Sequence, residues 1–154
     1  MRRRRFAATS AVALVALGLL ASPAAQARDG SPCGNAHRNQ HYGMVMNCPL
    51  WTGSVPVYAA PFNSSSSRGR VVGHLWNGGS ANWFFYQSRF FGALYALRHS
   101  GTTYGNYWWA YTVSDEGPKG WVSEVYFKGG TNAEADGGLF TRLAPPTPPT
   151  VPTH

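Results

Sequence analysis

Tyr107-Trp108-Trp109-Ala110-Tyr111-Thr112, the polar turn Asp115-Glu116-Gly117-Pro118-Lys119, and Gly120-Trp121-Val122-Ser123-Glu124-Val125-Tyr126-Phe127 decide the fold class of this chain. Aromatic and β-branched residues fit a pleated, half-buried surface, and a short polar connection between two such runs predicts a hairpin. Period two sets Trp108, Ala110 and Thr112 on one face, with Trp109, Tyr111 and Val113 on the other. Trp121 and Ser123 likewise oppose Val122 and Glu124.

Upstream, the same reading finds three more strands. Val55-Pro56-Val57-Tyr58 is short, and its proline suits an edge or a strand start. After the Ser-rich turn Asn63 to Gly69 comes Arg70 to Leu75, closed by Asn77-Gly78-Gly79. Asn82 to Gln87 carries Trp83-Phe84-Phe85-Tyr86, a strand with bulky rings on both faces. Within Ser88 to Asn106, the apolar run Phe90 to Leu97 fits either an extra hairpin or a short helix. After Gly129-Gly130 no strand pattern recurs. Five short strands, Gly- and Asn-rich turns and little helical periodicity predict an all-β fold, a small barrel.

Both ends differ in composition. Residues 1–27 read as a secretory signal peptide: Arg2 to Arg5, the apolar Phe6 to Leu20, then Ala25-Gln26-Ala27 at the cleavage point. The apolar run is too short for a membrane span of about 20 residues. No lipid-attachment cysteine follows it and no hydrophobic tail closes the chain, so no membrane anchor is expected after cleavage. From Arg142 onward, Pro145-Pro146-Thr147-Pro148-Pro149 and Pro152 predict an extended, polyproline-like tail. The expected organisation is a signal peptide at 1–27, an irregular segment at 28–47, a barrel domain at 48–139 and a Pro-rich tail at 140–154.

The chain has 13 Lys+Arg against 6 Asp+Glu, a formal charge of +7. Four of those arginines lie in the signal, so cleavage leaves nine cations against six anions, or +3. Export and this modest charge argue against a nucleic-acid partner. Arg68, Arg70, Arg89 and Arg98 suit either an anionic polymer such as wall teichoic acid or plain solvation.

Cys33 and Cys48 are the only cysteines, and in an exported chain such a pair reads as a disulfide. With His37 and His41 between them they also offer the ligand types of a tetrahedral zinc site. Gly34, Asn35, Asn39 and Gly43 disfavour the helix that would set the two histidines on one face, so no metal is expected. Asn132, Glu134, Asp136 and Gly137 imitate the start of a calcium loop, but Leu143 stands where the bidentate glutamate belongs. No cofactor and no catalysis are expected either. The cysteines lack the packed thiolate–histidine pairing of a cysteine peptidase, and no serine nucleophile elbow occurs.

Trp108 to Thr112 with Gly120 to Phe127, together with Cys48-Pro49-Leu50, Val55 to Tyr58, Arg70 to Leu75 and Asn82-Trp83-Phe84, resemble bacterial SH3-like (SH3b) domains of the small secreted actinomycete type. The likeness spans roughly residues 48–139. Two features depart from the family: the long Ser88 to Asn106 connection, and Ser123 where eukaryotic relatives carry proline. The resemblance implies a secreted, non-catalytic recognition module for peptidoglycan or an associated polymer, bound through an aromatic groove. A proline-rich or other peptide ligand is a further expectation, and a secreted inhibitor or signalling protein acting on a soluble partner is the alternative. Tyr58, Trp108 and Tyr126 are the expected groove rings, with Trp83 and Trp121 behind them, and Glu124 and Asp115 are candidates for a cationic ligand end. Pro145 to Pro148 and Pro149 to Pro152 have the spacing that SH3-type grooves accept, so the tail is a candidate self-ligand.

Overall fold

The computed structural model describes residues 33–76, 78, 82–129, 133–136 and 138–143. The expected signal peptide, the Pro-rich run from Pro145, Asn77 and Gly79 of the expected turn, and Asn132 and Gly137 of the calcium-like stretch lie outside the described residues.

Among the described residues nine strands form: β1 His37–Asn39, β2 Gly43–Asn47, β3 Val55–Tyr58, β4 Val71–Leu75, β5 Trp83–Arg89, β6 Tyr95–His99, β7 Thr102–Asn106, β8 Trp108–Val113 and β9 Lys119–Ser123. A single 3-10 turn, Glu124–Tyr126, follows β9 and is the only helical turn among the described residues. The fold is all-β, as the periodicity predicts, but it is not a five-stranded barrel. Seven strands pair antiparallel in one open sheet, ordered β1-β2-β5-β8-β9-β3-β4, and β6 with β7 makes a second sheet of two.

The five expected strands are all present as β3, β4, β5, β8 and β9, and two insertions account for the other four. The segment expected to be irregular, between the cysteines, is a hairpin. Asn39 Oδ1 accepts from the N–H groups of His41 and Tyr42, at 2.8 and 3.2 Å, and Gly43 takes φ +78° to turn the chain. β2 then buries Val45 and Met46 and pairs with the start of β5, at Met46–Phe84 and Asn47–Trp83. The Cys33–Cys48 disulfide forms, with Cα atoms 4.1 Å apart, so both thiols are consumed and the zinc alternative is excluded. The second insertion, inside Ser88 to Asn106, resolves as the β6–β7 hairpin rather than a helix.

The sheet has two differently covered faces. On the inner face, Phe84, Ala110, Thr112 and Val122 are fully buried, with Phe127 packed at 5.0 Å on Phe84. The outer face carries Tyr86, Tyr111, Trp121 and Lys119, which pair or neighbour one another across β5, β8 and β9. Trp109 shares that outer face by alternation, yet it is fully buried beneath the β6–β7 insertion, its indole N–H donating to the Ala93 carbonyl at 2.9 Å. The insertion therefore covers one end of the outer face and leaves the Tyr111 end open.

The β8–β9 turn guards the free edge of β4. His74 turns both backbone groups away from β3, its carbonyl accepting from Asp115 N–H at 2.9 Å and its N–H donating to Glu116 Oε2 at 2.7 Å. Trp76 N–H donates to Asp115 Oδ2 at 2.7 Å. Pairing these edge groups removes a template for strand addition.

Candidate functional site

An irregularity in β5 builds the outer face. Pairing with β8 runs Phe84–Thr112 and then Tyr86–Tyr111, so two steps along β5 match one along β8 and Phe85 is the extra, bulged residue. A regular strand would point Phe85 and Tyr86 to opposite sides. Here both rings reach Tyr111, with centroids at 6.0 and 5.3 Å. Tyr42 continues the row on Phe85 at 6.3 Å, and Trp121 closes it on Tyr111 at 5.0 Å and on Tyr86 at 5.7 Å.

A depression of about 410 Å³ opens above these rings, lined by Tyr42, Met44, Phe85, Tyr86, Tyr111, Lys119, Phe140 and Arg142. Phe140 is 53% exposed and Met44 50%, so its rim is apolar and wet. Two cations hang over the floor: Arg142 Cζ lies 4.2 Å from the Tyr86 centroid and Lys119 Nζ 5.2 Å from that of Phe85. None of the described lining residues is acidic. Burial raises the Tyr86 phenol above its ordinary pKa, and the neighbouring Tyr111 adds to this while Arg142 opposes it.

The C-terminal strap supplies Phe140 and Arg142. β2 pairs only with the start of β5, which leaves the edge of β5 free beyond it. There Gln87 N–H donates to Phe140 O at 2.8 Å and Arg142 N–H to Gln87 O at 2.9 Å, a parallel bridge with Thr141 between them. The buried Gln87 amide anchors the same segment, donating to Asp136 O at 2.6 Å and Leu139 O at 3.0 Å while its Oε1 accepts from Asp136 N–H at 2.9 Å. Ser88 Oγ donates to Arg142 O at 2.9 Å. The first residues of the stretch expected to be a free tail are thus a wall of the depression.

The ring candidates read from sequence scatter. Trp121 belongs to the aromatic row just described. Trp83 is half-buried on the other side of the bulge, its ring 5.2 Å from His37. Trp108 is half-buried, with its N–H donating to Asn106 Oδ1 at 3.0 Å. Tyr58 and Tyr126 are buried, at 7% and 6% exposure, so they do not face a groove. The reason is the β6–β7 insertion: Tyr95 fills the space between them, its hydroxyl 3.1 Å from that of Tyr58 and 3.0 Å from that of Tyr126. Burial and this phenol contact push both hydroxyls far above their ordinary pKa. Glu124 is also corrected, being buried at 3% exposure, with Oε2 accepting from Asp136 N–H at 3.0 Å. Asp115 is spent on the β4 edge. Tyr42, Phe85, Tyr86, Tyr111, Lys119, Phe140 and Arg142 were not among the sequence candidates, and only the adjacent Phe85-Tyr86 rings signalled a broken alternation.

No family model matches this chain, and neither a curated protein nor a solved structure matches it.

Proposed function

We propose that this chain is a secreted, non-catalytic binding module that holds a cell-wall polymer, peptidoglycan or one attached to it, on its outer aromatic face. The observation that carries the reading is the bulged row Tyr42–Phe85–Tyr111–Tyr86, open to solvent above a concave floor. Ring faces stack on the apolar faces of sugars, and a rigid aromatic lining with few, placed polar groups is the usual make-up of a recognition site. The Cys33–Cys48 disulfide supports an oxidising destination beyond the cytoplasm, in keeping with the leader at 1–27.

The test is co-sedimentation of the protein, expressed from the full chain, with purified sacculi. Phe140→Ala and Tyr42→Ala remove exposed rings at the rim, so the fold survives and affinity falls about tenfold each. A protein that stays in the supernatant under every condition removes the wall reading and makes a soluble partner the working hypothesis. Binding that is unmoved by both substitutions places the site elsewhere on the surface.

A further inference from the structure

Two independent features of the depression point beyond a neutral glycan. Lys119 and Arg142 are exposed, come from different elements, β9 and the strap, and project over adjacent rings of one floor. The acids of the described residues sit elsewhere: Asp115 and Glu116 on the β4 edge, Glu124 and Asp136 buried, and Glu134 bonded through its carbonyl to Asn106. The floor is therefore apolar and its field positive. We infer that the depression takes a repeat unit of an anionic, phosphodiester-linked glycopolymer, the sugar resting on Tyr111 and its flanking phosphates held by Arg142 and Lys119. This rests on the wall-binding reading above and narrows it to the polymer attached to peptidoglycan.

The chemistry favours this occupant. Arg142 lies over Tyr86, and guanidinium supplies forked donors that match a phosphate, while Lys119 adds a mobile point charge. Two cations beside one apolar floor suit a chain in which sugar and anion alternate. A neutral glycan would use only the rings and gain nothing from either cation.

Binding is measured with native sacculi, with sacculi stripped of teichoic acid by hydrofluoric acid, and with three soluble probes: glucosylated polyglycerol phosphate, hyaluronate and a chitin oligomer. The inference expects binding to native sacculi and glucosylated polyglycerol phosphate that drops about tenfold on stripping and about tenfold in Lys119→Gln/Arg142→Gln. Arg70→Gln/Arg98→Gln changes net charge by the same amount at exposed sites outside the depression and should leave binding unchanged. Retained binding to stripped sacculi and to chitin, indifferent to Lys119→Gln/Arg142→Gln, overturns the inference and keeps the wall reading. Equal binding to hyaluronate overturns the phosphodiester assignment, and equal losses in both double variants reduce the effect to net charge. No binding to any sacculus fails the wall reading itself.

Discussion

Phe85 owes its place on the platform to a count of residues rather than to its own chemistry, and the same is true of Tyr86 beside it. Gln87, the next residue, is a different kind of determinant. Its buried amide makes three contacts to the backbone of residues 136–139, of which only the Asp136 N–H is shared, with Glu124 Oε2. Gln87→Ala should cost about 1–3 kcal/mol, since the Asp136 and Leu139 carbonyls lose the amide that donates to them. Amide hydrogen exchange at Asp136 and Arg142 should then accelerate far more than at Trp109, and equal protection in the variant would show that the strap holds without this anchor. Glu116 is legible by pH. The His74 N–H bond holds its carboxyl below the usual carboxylate range, helped by the Trp76 indole N–H at 3.0 Å. Its contribution is present above the unfolded value and is lost as pH falls through the lowered one. The Trp76 indole proton should therefore titrate with a midpoint below the ordinary glutamate value in NMR, and Glu116→Gln should abolish that step.

At the scale of elements, two joints hold the sheet together. Gly120 lies where β9 meets β3, and a β-carbon there would strike Tyr58 O and, at 2.8 Å, Val57 Cγ1. Gly120→Ala should destabilise by roughly 1–3 kcal/mol, read as a lower denaturant midpoint with unchanged slope. The Gly-Trp-Val run that suggested a recognition motif thus owes its glycine to strand packing. The Cys33–Cys48 bridge, with its sequence separation of 15, staples β2 at the other joint. Replacing both cysteines by serine should remove about 3 kcal/mol and lower the melting temperature by roughly 10 to 20 °C. Five strands were legible because their rings and β-branched residues alternate against polar turns. The β1–β2 hairpin was not, because β1 is His-Arg-Asn and the apolar Met44-Val45-Met46 of β2 is a short run between Gly43 and Asn47, extended through the pairing of β2 with β5 and of β1 with β2. The groove was misread for a related reason. Tyr58 and Tyr126 look like site rings in isolation, and nothing local announces that Tyr95, from another element, will fill the gap between them.

For the molecule as a whole, Glu124 sets the response to pH in the opposite sense to Glu116. Burial raises its carboxyl well above the ordinary value, the Asp136 N–H bond opposes this, and the Asp136 charge adds to the rise. A raised folded value means that stability is fully present below the unfolded value and is lost as pH climbs through the raised one. Thermal stability should thus decline from mildly acidic toward neutral pH. Glu124→Gln, which keeps an acceptor for Asp136 N–H, should flatten that decline, whereas an unchanged pH profile in the variant would assign the slope to another group.

The single unmatched position in β5 has a consequence for how such a surface arises and disappears. Removing one codon, that of Phe85, would restore regular pairing with Tyr86 following Phe84 and still opposite Tyr111, so the row would lose the one ring that joins Tyr42 to Tyr111 and lies under Lys119, without altering a neighbouring side chain. Two genes differing by that triplet would be almost indistinguishable in composition, yet only one would carry the continuous row. Gain or loss of the continuous ring row in this scaffold is therefore a matter of insertion and deletion, and comparisons that score substitutions alone would overlook it.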